Sequence, residues 1–274
     1  MPARAESSWM SEVVLDPSVS WLNMGTRSLG DQPWLIVDAN QRDELAQRVL
    51  LLERRSAEVL AEPPDSAAAA EELLGLVEAS GATLVGTPGD SPLERIGKSV
   101  QEDFCLLRRG PHEWHLGAAV LCFPSRWRLS AKLGLPLAEV HGPTPGYDPK
   151  LASRVTSLLD RLGSQIVRRR NWFIHPDSSL FQPDRSPEGD QVVPAERCMK
   201  GLFLRSERQT LRLLPESGWI AFTIRIQHST LGEFCQSTAR REQLLHYLAE
   251  APAEDLEHRG MSSSQVGEMV VALR

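Results

Sequence analysis

Residues 202–226 read LFLRSERQTLRLLPESGWIAFTIRI. Two strand-like runs flank a Pro215-Glu-Ser-Gly218 turn, which predicts an antiparallel hairpin. In the second run Ile220, Phe222, Ile224 and Ile226 share one face. Trp219, Ala221, Thr223 and Arg225 share the other. One face should meet a hydrophobic layer, while the other could line a pocket. Arg205, Glu207, Arg208, Arg212 and Arg225 interrupt otherwise apolar strands. A strand with a covered face tolerates inward charges only when they pair or bind something. The hairpin is therefore the first place to look for a site.

Upstream, Glu102–Leu107 and Trp114–Phe123 are apolar and separated by Arg-Arg-Gly-Pro, which predicts another hairpin. A short helix is expected over 125–135, followed by a Pro/Gly-rich loop over 136–147. Val155, Leu158, Leu159, Leu162 and Ile166 keep a helical spacing. A third strand is expected at Asn171–His175. The preceding Arg168-Arg169-Arg170 reads as a solvated helix end. Nearer the N-terminus, Leu45, Val49, Leu52 and Val59 predict one helix face, and Ala67–Ala79 predicts a second helix. Thr230-Leu-Gly-Glu233 is a capping box, predicting one helix to about Leu248, and a last helix is expected near Val266–Leu273.

Antiparallel strands with helices grouped between them imply an α+β fold. A sheet interrupted after its first hairpin is also the strand order of a PAS-like domain. The expected divisions are an N-terminal wrapping segment and helices over 1–99, a PAS-like core over 100–228 and a helical extension over 229–274. All three are expected to form one compact unit.

The 274 residues are 41% hydrophobic and 24% charged, as in a soluble globular protein. The net charge of −6 argues against nucleic-acid binding through a broad basic surface. No run of about 18 apolar residues predicts a membrane span, and no apolar signal core opens the chain. Cys105, Cys122, Cys198 and Cys235 fit no zinc or iron–sulfur spacing, and a cytoplasmic protein with reduced thiols is expected. There is no GxSxG, Walker loop, GxGxxG or HExxH motif.

His141 stands out among the seven histidines because prolines and glycines fix the backbone after it. That framing suits a metal ligand, whose direction must be held closely. A loop histidine hydrogen-bonded to backbone is the plainer reading of the same pattern. His175 reads as structural or exposed, and the other five histidines look bland. Glu207 shares a strand face with Arg205 and Gln209, so it could hold a cationic amine or form a cross-sheet ion pair. Arg225 could bind an anion or an oxygen species, or it could pair with Glu207.

Several motifs together resemble the haem-dependent oxidative N-demethylase family. They are Phe123-Pro-Ser-Arg-Trp-Arg-Leu129, Glu139-Val-His-Gly-Pro-Thr-Pro-Gly-Tyr147, Arg170-Asn-Trp172, the run Arg205–Pro215, and Phe222-Thr-Ile-Arg225. The resemblance spans about residues 30–248 and includes the haem subunit of dimethylamine monooxygenase. It implies a PAS-like domain binding haem b that removes a methyl group from a small amine as formaldehyde. Dioxygen is consumed, and electrons come from NADPH through a separate flavin and iron–sulfur reductase. The resemblance implies His141 as the axial iron ligand. On the distal side it implies Glu207 on the protonated amine and Arg225 polarising oxygen, with the two paired. Arg126, Arg208 and Asn171 are implied at the haem propionates or in shaping the pocket. A non-catalytic haem or gas sensor on the same fold is the alternative. The amine, the electron donor and the oligomeric state stay open.

Overall fold

The computed structural model describes residues 8–19, 25–141, 148–184 and 190–274. Among the described residues, seven strands form one antiparallel sheet in the order β1-β5-β6-β7-β3-β4-β2. They are β1 (Arg27–Ser28), β2 (Leu60–Ala61), β3 (Asp103–Arg109), β4 (Trp114–Val120), β5 (Val167–His175), β6 (Phe203–Leu213) and β7 (Ile220–Thr230). The helices before β3 are α1 (Gln41–Arg54), α2 (Ser56–Val59), α3 (Ala67–Ala79) and α4 (Pro92–Ser99). Between β4 and β6 come α5 (Leu137–His141), α6 (Pro149–Asp160) and α7 (Ala195–Gly201). After β7 come α8 (Leu231–Phe234), α9 (Thr238–Glu250), α10 (Ala253–His258) and α11 (Ser263–Leu273). The architecture is α+β, and no described helix is long and apolar enough to cross a membrane.

Both expected hairpins form, with β3 pairing β4 and β6 pairing β7. The β6–β7 turn closes where Gly218 takes a left-handed φ of 73° and its N–H reaches the Leu214 carbonyl. The Glu72 carboxylate of α3 accepts the backbone N–H groups of Glu216 and Ser217, tying that helix to the turn.

Several local expectations give way. Residues 168–170 are not a helix end. They lie inside β5, because alternate side chains there find opposite partners. Only a 3-10 turn, Leu129–Ala131, forms within 125–135. The capping box at Thr230 forms, but the helix stops at Phe234, and Ser237 caps a new one. The helix expected to reach Ile166 ends at Asp160.

The buried face of α1 also differs, since it carries Glu44 and Arg48 beside Leu51 and Leu52. Arg48 pairs with Asp103 at 2.8 Å and donates to the carbonyls of Gly97 and Glu102. Asp103 also accepts the N–H groups of Cys122 and Phe123. Removing one partner of such a buried pair costs about 3–5 kcal/mol. This pair therefore anchors α1 to the start of β3.

The two faces of the sheet are covered differently. Trp172, Ile174 and Leu204 pack with Leu244, Tyr247 and Met269 of the C-terminal helices. On the cavity face, α6 presents Leu151, Val155, Leu158 and Leu159 at helical spacing, and α5 contributes Leu137 and Val140.

Candidate active site

Between the sheet and helices α5 and α6 lies a cavity of about 510 Å³. That volume is within the range of small-molecule and cofactor sites. Its apolar wall includes Leu107, Leu116, Leu211, Phe222 and Ile224 from the sheet. β7 alternates as its sequence predicts, with Phe222 and Ile224 on one face. The cavity nevertheless lies on the isoleucine and phenylalanine face, not on the Arg225 face.

β5 turns every second residue to the cavity, and Arg169, Asn171 and His175 supply its polar wall with Phe173 among them. Arg168 and Arg170 point the other way and bind Glu12 at 3.3 and 3.0 Å. Arg169 makes no hydrogen bond or ion pair among the described residues. Burial lowers its pKa, while the Glu207 carboxylate opposes that shift.

Asn171 lies directly opposite Glu207 in the β5–β6 register. Glu207 is 7% exposed and faces the cavity. Its Oε1 accepts from Ser125 Oγ at 2.5 Å, and its Oε2 accepts from Gln209 Nε2 at 2.8 Å. The predicted sharing of one face by Arg205, Glu207 and Gln209 is realised, with Ser125 between Arg205 and Glu207.

His141 closes α5 and also faces the cavity. Its Nδ1 lies 2.8 Å from the Leu137 carbonyl. A carbonyl only accepts, so in the neutral ring Nδ1 carries the proton and Nε2 the lone pair. Burial lowers the His141 pKa against the effect of that carbonyl, and Lys132 and Arg169 lower it further. The prolines and glycines of 142–147, which framed the sequence reading of His141, lie outside the described residues.

His175 is buried rather than exposed, at 3%. Its Nδ1 has no hydrogen-bond partner among the described residues. Burial, with Arg126 and Arg205 nearby, depresses its pKa to about 4. His258 is a third imidazole in the wall, its ring tilted against Phe173 at 5.8 Å. Lys132 faces the cavity too, donating to the Val140 carbonyl at 2.8 Å, and burial lowers its pKa.

Arg126 lines the cavity, but its guanidinium is held by Asp190 through two bonds of 2.6 and 2.7 Å. Arg225 and Arg208 require correction. Arg225 is fully buried on the opposite face, pairing with Asp38 at 2.6 Å and Glu44 at 2.8 Å. Arg208 stands beside it and donates to the carbonyls of Pro33 and Trp34. Adjacent strand positions point to opposite faces, so neither Arg225 nor Arg208 can share the cavity with Glu207.

A profile of the family described as haem-dependent oxidative N-demethylase, alpha subunit-like, matches residues 78–270. The chain belongs to this family. The matched region contains β3 to β7 and all the polar cavity residues named above. These residues fit the haem on which the family depends. The cavity is apolar on most of its wall and contains an imidazole with an oriented lone pair. Arg169 and Lys132 are cations suited to carboxylate groups.

Sequence reasoning missed Arg169, His175, Lys132 and Ser125. For Arg169 and His175 a signal existed. Extending the expected strand back to Val167 puts 169, 171, 173 and 175 on one face. Ser125 and Lys132 come from irregular backbone, where no period marks direction.

Proposed function

We propose that this chain is a haem-dependent monooxygenase that removes a methyl group oxidatively from a small amine, releasing formaldehyde. The observation that carries this reading is the Glu207 carboxylate, fixed by two hydrogen bonds in the same cavity as the oriented imidazole of His141. Haem b, when bound, supplies the dioxygen activation that oxidation of an N-methyl carbon needs. His141 would hold the iron through Nε2, while Arg169 and Lys132 would receive the haem carboxylates.

Glu207 binds the protonated amine. Its two oxygens already accept from Ser125 and Gln209, yet a carboxylate has lone pairs left for an ammonium N–H. Asn171, opposite it, adds an amide at the same level of the sheet. The apolar stripe of α6 excludes water from the methyl groups. The chemistry balances when one oxygen atom enters the methyl carbon, whose carbinolamine collapses to amine and formaldehyde. The other oxygen leaves as water, with two electrons and two protons supplied. The absence of a nucleotide loop or cysteine cluster in the sequence supports a separate reductase, drawing on NADPH through flavin and iron–sulfur centres. A PAS-like scaffold is supported by the order hairpin, helices and then three further strands within one antiparallel sheet.

The test is the absorption spectrum of the purified chain, oxidised, reduced and with carbon monoxide, followed by formaldehyde detection with dimethylamine and a reductase system. A Soret band that His141→Ala abolishes or shifts, together with formaldehyde release, is expected. A Soret band without turnover of any methylamine would leave a sensor. No Soret band after haem addition would refute both readings.

A further inference from the structure

We propose that Ser125 is a positioning residue, coupling the buried Arg205 guanidinium to Glu207 and so fixing the carboxylate that holds the substrate ammonium. This rests on the reading of Glu207 given above. Arg205 Nε donates to Ser125 Oγ at 2.9 Å, and Ser125 Oγ lies 2.5 Å from Glu207 Oε1. A guanidinium can only donate, so the serine accepts from it. The serine's own proton then points to the carboxylate. The direction of the relay is therefore settled by the chemistry of its ends, and successive hydrogen bonds of this kind polarise one another.

The rest of Arg205 is committed elsewhere. It is 2% exposed and has no carboxylate within ion-pair distance among the described residues. Its remaining donors go to the carbonyls of Phe123, Pro124, Ser179 and Leu180. Burial depresses its pKa to about 10, and Glu207 is the first influence opposing that shift. The charge of Arg205 thus has one hydrogen-bonded path to an anion, and that path runs through Ser125.

The backbone holds the serine in place. Arg126, the next residue, has a φ of 64°, the single positive value at a non-glycine among the described residues. For a residue with a Cβ this is an uncommon and costly conformation, maintained only where the surroundings impose it. Here Arg126 N–H binds the Gln182 carbonyl at 2.6 Å, Ser125 bridges to Gln182, and the Arg126 side chain is clamped by Asp190. Gln182 in turn donates to the Ser179 carbonyl at 2.6 Å. The loop that accepts from Arg205 is therefore the loop that sets the direction of Ser125.

The experiment compares the haem-loaded wild type with Ser125→Ala, Ser125→Thr and Glu207→Gln. Two equilibrium titrations are made on each, with dimethylammonium and with carbon monoxide, alongside kcat and KM. Ser125→Ala is expected to weaken dimethylammonium binding roughly tenfold or more, the scale of a hydrogen bond to a charged group. KM should rise more than kcat falls, while carbon monoxide binding stays unchanged. Ser125→Thr keeps the hydroxyl and is expected to restore most of the affinity, which a purely structural role for the serine would not require. Wild-type dimethylammonium affinity in Ser125→Ala, with affinity lost in Glu207→Gln, would overturn the relay alone. Wild-type affinity in Glu207→Gln would overturn the reading of Glu207 and the relay with it.

Discussion

Glu207 and Arg225 occupy neighbouring strands but project from opposite faces of the sheet. Glu207 pairs in register with Ile226, and Arg225 with Arg208. Two arginines directly opposite each other would repel. Residues 33–44 resolve this by supplying the carboxylates of Asp38 and Glu44 and the carbonyls of Pro33 and Trp34. The face away from the cavity is thus a buried charge network, and the two residues should separate experimentally.

Arg225→Met is expected to act on stability. It leaves Glu44, and with it the half-buried Asp38, without a cation, at a cost of about 3–5 kcal/mol. Urea unfolding measures the loss. Haem content and amine turnover per folded molecule should persist. A turnover defect in a variant of unchanged stability would return Arg225 to the chemistry.

Glu207→Gln is expected to do the reverse. The fold and the Soret band are retained, while kcat/KM for the amine falls by roughly ten- to a hundredfold or more. Normal demethylation by this variant would remove Glu207 from substrate binding.

His141, the proposed iron ligand, and His175, a second imidazole of the cavity wall, differ in environment. His141 has its Nδ1 proton directed to the Leu137 carbonyl, the arrangement that fixes a ligating ring. His175 lacks such a partner among the described residues at its Nδ1. Electron paramagnetic resonance of the haem-loaded ferric protein should therefore change in His141→Ala and keep the wild-type signal in His175→Ala. The opposite pattern would transfer the ligand role to His175.

His175 also predicts a pH dependence of stability. Its folded pKa is near 4, below its ordinary value of 6.5. Between these values the unfolded chain binds a proton that the folded chain does not. Its contribution is therefore complete above about pH 6.5 and is lost as pH falls toward 4. The slope is at most about 1.4 kcal/mol per pH unit. The difference in unfolding free energy between wild type and His175→Gln, followed from pH 7 to 4, isolates it. A difference independent of pH would contradict the buried neutral ring.

The thiols should be silent in the native state. All four cysteines are buried, and burial raises the pKa of each, that of Cys122 to about 12. Reaction with a disulfide reagent such as DTNB is expected only after unfolding, because the thiolate is the reactive form. Rapid native labelling would show reagent reaching a buried thiol, either Cys105 through the cavity it lines or another through an opening of the core.

Regular strands were the legible part. Alternation in 220–226 and the turn at 215–218 placed the hairpin and the shared face of Arg205, Glu207 and Gln209. The same rule, had it been extended through 167–175, would have separated Arg169 from Arg168 and Arg170. The α1 face was misread because apolar spacing favoured Leu45 and Val49, whereas Glu44 and Arg48 are buried by partners distant in sequence. Hydrophobic periodicity cannot register a charge that becomes buried because another charge awaits it.

The sequence by itself determined the family, the two hairpins and which side chains of each strand travel together, because these depend on residue type and a period of two. Only the tertiary structure decided which face became the cavity, since that depends on where α5, α6 and residues 33–44 pack. It also decided the partners of Glu207 and Arg225. Hydrogen bonds and ion pairs join groups that the fold brings within about 3 Å. For Ser125 and Glu207, or Asp38 and Arg225, that proximity arises from folding across 82 and 187 positions of chain.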